Sequence, residues 1–89
     1  MKEETVYLYK HKPSGRYACT HVDALGGVHF VYSSVLPHTS YFYTNDRMCK
    51  ADLLDSVDSN GDRYALENFL EFTLCKYRLE YQLISEDGN

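Results

Sequence analysis

No run of apolar residues in this 89-residue chain exceeds a few positions, whereas a helix needs roughly 20 to cross a bilayer. A membrane-spanning helix is therefore not expected. The start, Met1-Lys2-Glu3-Glu4, also lacks the apolar core of a secretory signal. Tryptophan is absent, and the three cysteines, Cys19, Cys49 and Cys75, are odd in number and widely spaced, which argues against a secreted disulfide framework. A soluble, unexported, cytoplasmic protein is the expectation. Proline occurs only twice and no long polar tract is present, so disorder is expected only at the ends of a single compact domain covering 1–89. A nucleophile elbow, a phosphate loop and a paired-carboxylate motif are all missing. Neither catalysis nor a cofactor is expected from so short a chain.

What the chain does have is tyrosine: nine, against four phenylalanines. Tyrosine carries a large apolar ring and a polar tip, so it suits a surface that is wet when free and buried when bound. The formal charge of −4 is unevenly placed. Residues 1–38 hold four basic side chains against three acidic, and residues 39–89 hold five against ten. The second stretch would repel a phosphate backbone.

Thr5 to Lys12 and Arg16 to Val22 are rich in strand formers, and Lys12-Pro13-Ser14-Gly15 supplies a turn between them. A hairpin follows. With Lys12 opposite Arg16, Tyr9 falls opposite Cys19 and Tyr7 opposite His21. One face then carries Tyr7, Tyr9, His11, Tyr17, Cys19 and His21, and the more aliphatic Val6, Leu8, Ala18, Thr20 and Val22 are assigned to the core. Gly26-Gly27 precedes a third strand, Val28 to Val35, and Ser40 to Thr44 can add a fourth. Asp46 can cap a helix running to about Val57, with Cys49, Leu53, Leu54 and Val57 on one stripe. After a polar turn, Asp62 can cap a second helix burying Leu66, Phe69, Leu70 and Leu74. Alternation of Cys75, Tyr77, Leu79, Tyr81 and Leu83 with polar residues favours a strand from about 74 to 84 over a longer helix. The expected class is α+β, an antiparallel sheet of three to five strands packed against one or two helices.

Three clusters could carry chemistry. From Ser56 to Glu67 the chain places Asp58, Asn60, Gly61, Asp62 and Glu67 between two expected helices. This spacing resembles an EF-hand calcium loop, and the resemblance implies oxygen ligands from Asp58, Asn60, Asp62 and Glu67. Ser56 stands where that loop begins with aspartate, and Arg63 where it has an aliphatic residue. The plainer account is a capped turn. Cys19, His21 and His11, with His29 on the next strand, offer soft ligands for zinc but not a zinc spacing. Cys49 near a helix start is a candidate reactive thiol, though a cysteine aligned with Leu53 is more often plain core.

The function expected from these features is protein binding. A small acidic adaptor or inhibitor would press Tyr7, Tyr9, His11, Tyr17 and His21, with the basic turn residues Lys12 and Arg16, onto a larger protein partner. Small virus-encoded factors that bind host enzymes are analogous in size and charge. Single-stranded nucleic acid is the alternative, with Tyr7, Tyr9 and Tyr17 stacking bases, but the net charge opposes it. Calcium binding through 56–67 is a third. An open face or unpaired edge can also be satisfied by a second copy, as a homodimer.

Overall fold

A computed structural model describes residues 2–81. The expected strand positions 82–84 lie outside them, as does the side chain of Tyr81. Four strands, β1 (Lys2–His11), β2 (Arg16–Val22), β3 (Val28–Ser33) and β4 (Phe72–Tyr81), form one antiparallel sheet in the order β3-β2-β1-β4. Two helices, α1 (Asp46–Asp55) and the single-turn α2 (Tyr64–Glu67), pack on one side of it. The fold is a small α+β fold.

The hairpin forms where the turn residues put it, but its register is one residue away from expectation. His11 stands opposite Arg16, Lys10 opposite Tyr17 and Tyr9 opposite Ala18. Two bonds set this. The Gly15 N–H closes onto the His11 carbonyl at 2.8 Å with Gly15 at φ 69°, a conformation glycine adopts without strain. The Lys12 N–H is taken by the Glu71 carbonyl at 2.8 Å, so Lys12 belongs to the turn and not to the ladder. Because side chains alternate, a slip of one residue moves a whole set to the other face. Tyr7, Tyr9 and His11 therefore share a side with Ala18 and Thr20, while Val6 and Leu8 share one with Tyr17, Cys19 and His21.

β1 and β2 stay together for only those three pairs. Beyond them Tyr43 takes the place of β2 beside β1, donating to the Tyr7 carbonyl at 2.9 Å and accepting from its N–H at 2.7 Å. The expected fourth strand at 40–44 is thus a 3-10 turn, Thr39–Tyr41, followed by one bridge. β3 ends at Ser33, short of Val35.

Asn45, not Asp46, caps α1, its side-chain oxygen accepting from the amides of Arg47 and Met48 at 2.9 and 3.1 Å. Cys49 and Leu53, one turn apart, are the buried stripe. The helix stops at Asp55, and Val57 instead bonds the outer edge of β3, accepting from Phe30 and donating to Val28. The expected second helix is cut to one turn. Asn68 ends it by directing both its backbone and side-chain N–H groups at the Tyr64 carbonyl, 2.9 and 3.0 Å away. From Phe72 onward the chain gains ten ladder partners on β1, which outweighs helical periodicity. Leu66, Leu70 and Leu74 consequently lie exposed, and Ala65 takes the buried place. Tyr9, Ala18, Phe30, Cys49, Leu53, Ala65 and Phe72 make the core between sheet and helices.

Candidate functional site

The residues expected to form one surface are divided between two. Tyr9 and His11 are buried on the helix side, and Tyr7 packs against the same core. Tyr17 and His21 point the other way. Lys12 and Arg16 sit exposed at the turn, with the Arg16 guanidinium 4.1 Å above the Tyr32 ring.

The face away from the helices has its own buried layer. Val6, Leu8 and Cys19 are buried there, although neither α1 nor α2 lies on that side. Aromatic rings share this face: Tyr77 stands opposite Val6 in the ladder, and its ring meets that of Phe42 with centroids 5.4 Å apart. Burial, with the Tyr17 phenol beside it, keeps the Tyr77 hydroxyl protonated far above the usual range. The Lys10 ammonium lies 5.4 Å from the Tyr17 ring centroid. Val31, on the same face of β3, remains 47% exposed. At the far end His21 and His29 stack across the strands with centroids 5.3 Å apart, and His29 Nε2 is 2.6 Å from Asp23. That hydrogen bond holds the Asp23 carboxyl below its ordinary pKa. A groove of about 430 Å³ beside the stack, between β2 and the 40–43 segment, is lined by Thr20, His21, Val22, Tyr41 and Phe42.

Charge is segregated as well. Residues 46–71, which build the helix side, hold seven carboxylates against three basic groups, whereas Lys10, Lys12 and Arg16 gather at the hairpin turn. The basic rim borders the open face.

A second constellation sits at that turn on the helix side. His11 has its Nδ1 2.7 Å from Ser14 Oγ and its Nε2 2.8 Å from Glu71 Oε1. The Tyr64 hydroxyl donates to the same carboxylate oxygen at 2.5 Å. This hydroxyl and His11 together hold the Glu71 carboxyl below its ordinary pKa, and the carboxylate in turn pushes the Tyr64 phenol up to about 12.

In the 56–67 loop Asp58 serves the backbone: its Oδ1 accepts from the amides of Asn60 and Asp62 at 2.9 and 3.0 Å, and Gly61 takes φ 79°. Those bonds are the ones a capped turn makes. His11 lies on the opposite side of the sheet from Cys19 and His21, so the three do not converge. Among the described residues no group of three His, Cys, Asp or Glu side chains is placed to hold a metal ion. Cys49 is no activated thiol: burial first, then the nearby Asp52 carboxylate, push it up to about 12.

The arrangement defines a two-layer α+β protein with, among the described residues, one sheet face left without a helical layer. Compared with protein-family models, curated proteins and solved structures, the chain finds no match. Among the described residues no helix is long and apolar enough to cross a membrane.

Proposed function

We propose that the protein is a binding module, an adaptor or inhibitor, whose open sheet face docks a larger protein partner carrying an apolar anchor flanked by carboxylates. The observation that carries this is a buried layer, Val6, Leu8 and Cys19, on the same sheet face as the clustered rings of Tyr17, Phe42 and Tyr77. Rings already held by ring contacts and a cation lose little freedom on binding. The partner's apolar anchor fits the groove beside Phe42 and His21, and its carboxylates meet Lys10 and Lys12. The acidic helix side steers the same partner by repelling it from the wrong face. Three unpaired cysteines agree with a reducing, cytoplasmic setting. The nucleic-acid alternative is weakened, since Tyr7 and Tyr9 do not share a surface with Tyr17.

The test sets the open face against the exposed leucines of the helix side. Protein from its native cell is captured, and a stoichiometric complex is isolated by size exclusion. Val31→Glu and Lys10→Glu should each weaken that complex, whereas Leu70→Glu, at a residue 88% exposed on the other side, should leave it intact. Recovery of no stoichiometric partner, or loss of the complex in Leu70→Glu alone, sinks the proposal.

A further inference from the structure

The His11 constellation lies apart from the open face, beside a turn that has backbone bonds of its own. The Gly15 amide already closes the turn onto His11, and the Lys12 amide already ties it to Glu71. His11 is itself packed among the rings of Tyr32, Tyr64 and Phe72, with centroids 5.2, 5.9 and 5.0 Å away, and is 7% exposed. Ser14, at the other end of the chain of bonds, is exposed.

Proton positions follow from the partners. A carboxylate only accepts, so the Nε2 facing Glu71 carries a hydrogen, and in the neutral imidazole Nδ1 is then the acceptor. In that tautomer the Ser14 hydroxyl, 2.7 Å from Nδ1, donates to it, while the Arg16 N–H donates to the Ser14 oxygen at 3.3 Å. We propose that Ser14, His11 and Glu71 form a nucleophile, base and orienting-acid relay that acts on small activated acyl donors such as aryl esters. Nucleophile and base in hydrogen-bond reach, with the base aligned by a third group, is the geometry that activates a serine. The shielding that surrounds His11 holds its ring in one orientation, and the Tyr64 hydroxyl holds Glu71.

The step is acyl transfer. Ser14 Oγ bonds to the ester carbonyl carbon as its proton passes to His11 Nδ1, and the resulting imidazolium is stabilised by Glu71. The ester C–O bond breaks, and the leaving group departs with the electron pair and takes the proton from Nδ1. Water then gives a proton to the same nitrogen as its oxygen bonds to the acyl carbon; the bond from that carbon to Ser14 Oγ breaks, Ser14 Oγ takes the proton back from Nδ1, and the carboxylic acid leaves. Lys12 and Arg16 keep the turn electropositive, which favours the negative carbonyl oxygen of the intermediate. Ser14 stands in an open turn and not in an enclosed cleft, which restricts the substrate class to acyl donors that are already activated.

The whole chain is treated with a fluorophosphonate probe and, separately, with p-nitrophenyl acetate, and adducts are located by peptide mass spectrometry. One adduct on Ser14 is expected. Ser14→Ala, at an exposed position, should remove it, and Glu71→Gln should slow its formation by about 100-fold, the lower end of what a positioned base contributes. Circular dichroism checks that each variant folds; if His11→Gln does not, Glu71→Gln carries the test of the relay. Absence of a Ser14 adduct at millimolar probe, equal labelling of Ser14→Ala, or an unchanged rate in folded Glu71→Gln would overturn the proposal.

Discussion

Leu53 beneath the helices and Leu8 on the side without them are equally buried, each 1% exposed, but different neighbours bury them. Leu53 is enclosed by the core that sheet and helices make together. Leu8 lies on the face where the half-buried rings of Tyr17, Phe42 and Tyr77 gather. Such rings can exclude water from a small core and still offer apolar area, because an aromatic ring has two faces. The same sheet thus carries one face finished by helices and one finished only to the depth of a ring.

Cavity-forming substitutions test that comparison most severely. Leu53→Ala and Leu8→Ala should each cost about 2 to 5 kcal/mol, measured as unfolding free energy in urea. A loss below about 1 kcal/mol for Leu8→Ala, within what surface substitutions show, would mean that the open side is not sealed in the isolated chain and that the comparison fails.

Tyr43 joins the two sides, and its effect should come next. Its backbone pairs with Tyr7, while its hydroxyl donates to Asp52 of α1 at 2.5 Å and meets the Thr20 hydroxyl of β2 at 2.6 Å. Burial first, and then the bond to the Asp52 carboxylate, hold that hydroxyl protonated well above the usual range. Tyr43→Phe leaves the buried Thr20 hydroxyl without its partner, so a loss of about 1 to 3 kcal/mol is expected. The same urea curves would show it. A neutral outcome would mean that the wedge between β1 and β2 is held by its backbone alone.

Acid should separate the two sides further. On the helix side Glu71 is held below its ordinary pKa by Tyr64 and then His11, and on the open side Asp23 is held below its own by His29 and then by the Gly27 and Leu25 amides. A carboxyl whose folded pKa lies below its unfolded value adds stability above the unfolded value, and that stability is lost as pH falls through the folded one. Unfolding midpoints should therefore drop as the pH goes below about 4. Glu71→Gln and Asp23→Asn should each flatten part of that fall. If the Glu71→Gln curve stays parallel to wild type down to about pH 2, the His11–Glu71–Tyr64 network contributes nothing to folding.

Local signals in the sequence were legible where the deciding contacts are local. Pro13 and Gly15 mark the hairpin, Gly26 and Gly27 the next turn, and the spacing of Cys49 and Leu53 the first helix. The α+β class and the C-terminal strand followed from alternation. Register did not follow, because the Lys12 amide that sets it bonds Glu71, a residue remote in sequence. Together with the Gly15 bond to His11, it moved Tyr7, Tyr9 and His11 beneath the helices and split the expected surface. Leu66, Leu70 and Leu74 keep helical spacing in the sequence, but Asn68 and the β1 ladder decide their fate. Phe42 and Tyr77 could not be placed on the open face before β4 was known to pair with β1. In the His11 constellation, the three-residue spacing of His11 and Ser14 across a turn was a local signal, and Glu71 was not.

The gentlest test leaves the sequence unaltered and uses the thiols already present on both sides. Cys49 is buried under α1 and its pKa is pushed up to about 12, so little thiolate exists at neutral pH. Cys19 is equally buried on the open side, and burial raises its pKa as well. Cys75, half-buried on β4, is the accessible one of the three. Iodoacetamide at neutral pH should modify Cys75 alone in the folded protein, and all three once urea is added, as read by intact mass. Alkylation needs both a thiolate and a path for the reagent, so Cys49 should stay protected for as long as the helices remain docked. Cys19 lies on the side away from α1 and α2. Modification of Cys19 at the pace of Cys75 would show that this side opens on its own, and the open face would then be a layer that only a bound partner completes.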